Sequence, residues 1–187
     1  AAAALGAFGT DAASALPALQ ALPPVLEEFP RRGIARSIVR VQCEMYEGGI
    51  VRGPKNEKRL ALVFTGHEFA EGGEAILDAL KAHGSKASFF LTGDFLRNPQ
   101  FSSLLNRMTD EGHYVGPHSD KHLLYCAWDS ARTTQVSEEA FARDLLANLR
   151  LMPNLTGPTR RFSRYLLPPF EHYNREIVDW TRKQRWN

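Results

Sequence analysis

From Arg59 onward, short apolar runs alternate with segments of helical periodicity, and this alternation restricts the fold more than any other feature of the chain. Leu60-Ala61-Leu62-Val63-Phe64 is a continuous apolar run, the pattern of a strand buried on both faces. Residues 74–83 carry Ile76, Leu77 and Leu80 at helical spacing, with Gly84 placed as a stop. Ala87-Ser88-Phe89-Phe90-Leu91 reads as a second buried strand. Asn98-Pro99 supply an N-cap and first turn for a helix that turns Phe101, Leu104, Leu105 and Met108 inward. Gly112 ends it, and His113-Tyr114-Val115 forms a short third strand. Ser137 caps a helix with Phe141, Leu145 and Leu149 along one stripe; residues 164–167 read as a fourth strand and 174–183 as a last helix. Strands and helices alternating at this length imply an α/β fold of parallel βαβ units, either an open sheet or a barrel. In both, the functional site forms at the carboxyl ends of the strands.

The first fifty-odd residues differ in character. Pro23-Pro24 and Pro30 break any early helix. Val39, Val41, Cys43 and Met45 alternate with polar residues as in a half-buried strand, and Gly48-Gly49 can turn it back into Ile50-Val51 as a hairpin. The polar connector from Gly53 to Lys58 marks the boundary. Residues 1–57 are therefore expected to be an N-terminal extension with a β-hairpin, and residues 58–187 the main domain. A formal charge of +2, with no basic tract interleaved with aromatics, gives no footprint for nucleic acid. No stretch is long enough to span a membrane. The two cysteines, Cys43 and Cys126, make neither a disulfide framework nor a zinc ribbon, and Cys126 reads as a buried apolar thiol.

The strand-end rule sorts the chemistry. Thr65-Gly66-His67-Glu68 follows the first strand, Thr92-Gly93-Asp94 the second, His118 the third and Pro168-Pro169 the fourth, so all four meet at one rim. His118 and His122 lie four positions apart and can each offer a neutral imidazole nitrogen to one divalent metal, most suitably zinc. Gly116-Pro117 place them on a turn leaving a strand rather than on a helix. Two imidazoles, one carboxylate and positions left for water describe a catalytic metal site. Glu68 is the first choice for the carboxylate and Glu71 the reserve. Such a metal would acidify water and polarise a carbonyl, as hydrolysis of an ester or amide needs, and His67 stands beside the ligand as the base. The plainer alternatives are a chance pair of surface or core histidines and a polar loop end at His67-Glu68.

These segments, in this order, resemble the polysaccharide deacetylases, the NodB-homology group or carbohydrate esterase family 4. Gly112-His113 and His118-Ser119-Asp120-Lys121-His122 match the family's second motif, Thr65-Gly66-His67-Glu68-Phe69 stands for its Thr-Phe-Asp-Asp-Gly, and Leu167-Pro168-Pro169-Phe170-Glu171 for its Arg-Pro-Pro-Tyr-Gly. The resemblance covers residues 59–187. It implies a distorted (β/α) barrel, a divalent metal, usually zinc, and removal of acetyl groups from an acetylated carbohydrate. It further implies that Glu68, His118 and His122 bind the metal and places His67 where the family has its catalytic Asp.

Leu167 stands where the family has an Arg that orients that carboxylate. Glu171 replaces a Gly and puts a new carboxylate at the rim, a second catalytic candidate. The family continues with further strands that carry its general acid, whereas this sequence stops at Asn187. The barrel is therefore expected to be truncated before its last strands, with a partner chain or a missing C-terminal segment completing it. Asp179-Trp180 reads as helix packing rather than as one of those later motifs. The family also implies a secreted, periplasmic or cell-envelope setting. Two other functions stay open: a catalytically inactive carbohydrate-binding module on the same scaffold, and a metal-dependent hydrolase of another amide or ester. Tyr125, Trp128 and Tyr173 can stack on sugar rings or pack the core.

Overall fold

The computed structural model describes residues 43–56, 60–152 and 165–186, and divides into two units that meet at residues 60 and 61. In the first unit, β1 (Glu44–Tyr46) pairs antiparallel with β2 (Gly49–Arg52). The turn is made by Glu47 and Gly48, both at positive φ (46° and 83°), as a two-residue hairpin loop requires. Gly49 belongs to the returning strand, one residue away from the turn position expected for it. Residues 39–42 of the expected strand lie outside the described residues.

The second unit is built on a parallel sheet of β3 (Val63–Gly66), β4 (Ser88–Leu91) and β5 (Tyr114–Pro117), in the order β3-β4-β5. The sheet starts later than the apolar run suggested: Leu60, Ala61 and Leu62 precede β3 and are exposed, and Val63 itself is 48% exposed. Among the described residues β3 has a strand neighbour on one side only, and the exposure of Leu60, Leu62 and Val63 shows that the apolar run is not covered on both faces as expected. Helix α1 (Gly73–Ala82) is stopped by Gly84 at φ 58°, as the sequence indicates. Helix α2 (Gly93–Arg97) is a single turn missed in the sequence; Thr92 Oγ1 caps it by accepting the Phe95 N–H at 3.2 Å. A short 3₁₀ turn (Pro99–Phe101) capped by Asn98 leads into α3 (Ser102–Asp110). Leu77, Leu80, Phe89, Leu91, Leu104 and Met108 form one core between α1, α3 and the sheet. Arg107 ties α3 to α1 through Asp78 at 3.0 Å and through Glu74.

Helix α4 (Glu138–Leu151) is capped by Ser137, whose Oγ accepts the Ala140 N–H at 3.2 Å. Helix α5 (Arg175–Lys183) is capped by Asn174, whose Oδ1 accepts from Ile177 at 3.0 Å. Phe141, Leu145, Ile177 and Trp180 join Tyr125, Cys126 and Leu166 in a second core, so Trp180 packs as read and Cys126 is a fully buried free thiol. Residues 165–167, read above as part of a fourth strand, are not a strand; Arg164 lies outside the described residues. Leu167 N–H donates to Pro117 O at 3.3 Å and its carbonyl accepts from His118, so its backbone groups go to the end of β5. Pro168 and Pro169 then offer no N–H to a ladder.

Candidate active site

Parallel register aligns Gly66, Leu91 and Pro117 across the three strands, so the residues that follow each emerge at one edge of the sheet. Thr92 N–H donates to Gly66 O at 3.0 Å and His118 N–H to Leu91 O at 3.2 Å, which carries the ladder one step further. His67 Nδ1 meets Thr92 Oγ1 at 3.1 Å. The His67 ring stacks on His122 at 4.8 Å and 18°, and His118 lies 5.1 Å from His122. Three of the six histidines thus gather at the carboxyl end of the sheet.

His118 is 2% exposed, and its Nδ1 donates to Leu167 O at 2.8 Å. A carbonyl can only accept, so the proton sits on Nδ1 and Nε2 keeps a lone pair, the arrangement of a metal-ligating imidazole. Burial drives its pKa down to about 4, against the opposing pull of the Leu167 carbonyl, and the neighbouring His122 and His67 lower it further. Burial, followed by His67, also lowers the pKa of His122. Both shifts favour the neutral imidazole, the form a metal ligand needs.

The backbone here is held in unusual conformations. Ser119 (φ 75°), His122 (53°), Phe170 (60°) and Glu171 (52°) all occupy the left-handed region without being glycine. Such residues cost roughly 1–3 kcal/mol each and collect where function over-determines geometry. The counterweight is Asp144 on α4, which is 7% exposed. Its carboxylate accepts from Asp120 N–H at 3.2 Å, Lys121 N–H at 3.1 Å and Tyr125 Oη–H at 2.7 Å. Burial and this carboxylate push the Tyr125 pKa well up, so the phenol remains a donor. Ser119 O accepts from Gly93 N–H at 3.1 Å, and Arg97 pairs with Asp120. Gly93 leaves room for this contact: a Cβ there would lie 1.9 Å from Asp120 Oδ1, so the carboxylate would have to move.

Asp144 escaped the sequence reading, yet it left a signal. Asp144 and Asn148 fall on the stripe of α4 that carries Phe141 and Leu145, where a polar side chain must have a buried partner. Asn148 uses its Nδ2–H on Leu91 O at 3.0 Å.

Glu68 is not brought to the His pair. Its side chain is 66% exposed, with Oε1 3.9 Å from His67 Nε2. Among the described residues, no group of three or more His, Cys, Asp or Glu is arranged to hold a metal ion. The donor chemistry of His118 and His122 fits a divalent metal, and a third donor is not in place. Glu171 and Glu71 are exposed. His113 is a core residue: its Nδ1 accepts the Ala87 N–H at 3.2 Å and burial lowers its pKa. Of the three aromatics, Tyr125 is fully buried, Tyr173 is half-buried beside the second core, and Trp128 is 65% exposed.

The model of the polysaccharide deacetylase family matches residues 52–185, which is most of the chain. The chain belongs to this family. A peptidoglycan-N-acetylglucosamine deacetylase of Bacillus cereus is 28% identical to this deacetylase domain over 134 residues, covering 72% of the chain and 44% of that protein. The chain thus spans under half the length of that relative. Among solved structures, a family 4 carbohydrate esterase from Bacillus anthracis superposes with a TM-score of 0.60 at 27% identity, over 72% of this chain and 59% of that one. A pseudoenzyme of the same esterase family, also from Bacillus anthracis, gives a TM-score of 0.57 at 23% identity, over 76% and 46%. The deacetylase fold therefore serves catalytic and non-catalytic proteins alike, and here it is present as a parallel-sheet portion of the barrel. No helix among the described residues is long and apolar enough to cross a membrane.

Proposed function

We propose that this deacetylase domain removes acetyl groups from a polysaccharide or oligosaccharide, with a divalent metal, zinc by preference, held by His118 and His122 and by Glu68 once its exposed side chain turns in toward them. The observation that carries the reading is the His118 tautomer: Nδ1–H is committed to Leu167 O, which leaves Nε2 as a donor atom beside His122. When bound, the metal supplies Lewis acidity toward the acetyl carbonyl and toward water. The chain's own residues do the rest. Asp144 fixes the segment that carries both imidazoles. His67 takes a proton at Nε2 when its Nδ1–H is given to Thr92 Oγ1, an acceptor already fixed by its cap on α2. Glu171, exposed in the turn Pro169–Glu171, is a second carboxylate and the remaining catalytic candidate. The relative's peptidoglycan substrate supports a secreted or cell-envelope setting.

The test combines metal analysis of the purified chain with acetate release from acetylated oligosaccharides. Metal bound by the wild type and lost in His118→Asn, together with acetate release, supports the proposal; absence of both refutes it. A second reading, a carbohydrate-binding module without catalysis, is favoured by the exposure of Glu68 and by the lack, among the described residues, of a three-donor group arranged to hold a metal. Saccharide binding with no acetate release at saturating zinc selects it.

A further inference from the structure

Several large apolar side chains stay exposed near the histidine cluster, among them Phe69 at 71%, Trp128 at 65% and Phe170 at 43%, and of these Trp128 carries the flat indole face. Trp128 is 65% exposed, whereas Trp180 and Trp186 are 8% and 5% exposed. Its indole is held from two sides. It stacks on His172 at 4.2 Å and 29°, and it meets the edge of Phe170 at 5.9 Å. Phe170 in turn lies 4.4 Å from His122, so an unbroken series of rings runs from the imidazole pair out to the indole.

The loop that carries Trp128 is pinned at every turn. Ala127 N–H donates to Thr133 O at 2.8 Å, and its carbonyl accepts from His172 Nε2–H at 2.9 Å. Asp129 Oδ1 accepts from Thr133 N–H at 3.1 Å and Oδ2 from Thr133 Oγ1 at 2.9 Å. Arg132 Nη1 donates to Tyr173 O at 2.9 Å, and Asn174 Nδ2 donates to Arg132 O at 2.7 Å. These bonds fix the loop backbone on either side of Trp128, and the ring contacts with His172 and Phe170 hold the indole in its outward position. An aromatic held out at the rim of a polar cleft, with its ordering cost already met, is built to receive a ligand face.

We propose that Trp128 is a saccharide subsite: it stacks on the pyranose ring next to the acetylated unit of the substrate chain. The inference rests on the carbohydrate reading of the same site and adds to it a preference for oligomers over single acetylated units. A polymer must continue beyond the unit under attack, and the indole stands two ring contacts from His122, where a neighbouring sugar would lie. The axial C–H face of a pyranose is apolar and flat enough to cover an indole, while its hydroxyls stay in water.

The experiment compares wild type, Trp128→Ala and Trp128→Phe on two probes, a tetrasaccharide of β-linked N-acetylglucosamine and p-nitrophenyl acetate. The ratio of kcat/KM for the tetrasaccharide to that for the ester should fall about tenfold in W128A and recover largely in W128F. Because the other two tryptophans are buried, tetrasaccharide binding should also change the emission of the wild type and not that of W128F. Hydrolysis of the tetrasaccharide with an unaltered ratio in W128A, or with no emission change in the wild type, overturns the subsite and leaves the proposed function standing. No binding and no acetate release overturn both. An emission change without hydrolysis supports the subsite and selects the non-catalytic reading.

Discussion

Acidification measures how firmly the fold keeps His118 neutral. A histidine has an ordinary pKa of about 6.5, and burial brings this one to about 4. The unfolded chain therefore takes up a proton as the pH falls through 6.5, while the folded chain declines it until near 4. Stability contributed by the neutral ring is complete above pH 6.5, is lost between 6.5 and 4, and does not change further below. A separation of roughly 2.5 pH units is worth about 3–4 kcal/mol in full at roughly 1.4 kcal/mol per unit, of which about 3 is lost by pH 4, where the folded ring is half protonated.

His113 and His122 are depressed as well and lose stability in the same direction, so the wild-type curve alone does not isolate His118. His118→Asn does, since the amide N–H can keep the bond to Leu167 O without titrating. Urea unfolding of both proteins, in chelator, at pH 7, 6, 5 and 4 is the assay. The wild type should lose about 3 kcal/mol more than H118N between pH 7 and pH 4. Parallel curves would refute the assignment of a desolvated, Nδ1-protonated imidazole, and with it the argument that Nε2 is held ready as a ligand.

Other substitutions probe the supports of the site. Asp144→Asn should cost about 3 kcal/mol in urea unfolding and weaken zinc binding at least tenfold by titration, while Tyr125→Phe, which removes one of three donors, should cost about 1 kcal/mol. Gly93→Ala drives a methyl onto Asp120 Oδ1, so it should destabilise by roughly 1–3 kcal/mol and lower zinc affinity, with Gly53→Ala, where nothing lies within 4 Å, near neutral in the same melts. His67→Ala should reduce acetate release by roughly a hundredfold with zinc content unchanged in metal analysis; loss of zinc would make His67 a ligand instead.

The order of segments at the rim was legible because each apolar strand is followed by its own polar punctuation, and parallel register does the rest. Strand limits were less legible. Periodicity shows that Leu60 to Phe64 wants cover, but the ladder begins only where β4 stands opposite, at Val63. Helix α2 is too short to show a period and depends on the single Thr92 cap. The burial of Tyr125 and the exposure of Trp128 could not be separated by composition, since both aromatics lie in one stretch and only the Asp129 turn and the Arg132 anchors decide which faces outward. The convergence of His67 with His118 and His122 follows from strand order, whereas the position of the Glu68 side chain depends on rotamers that no pattern encodes.

The one-sided pairing of β3 has a practical consequence for handling the protein. Val63, the first residue of β3, is 48% exposed and Leu62 just before it 38%, and the outer backbone of the strand has no strand neighbour among the described residues. Such a border can recruit any extended chain that meets it, so its chemistry is that of a seed. Concentrated solutions should therefore grow larger species with time, and light scattering should rise with protein concentration. A lysine at position 63 should slow that growth while leaving the histidine cluster, at the far end of the strands, untouched.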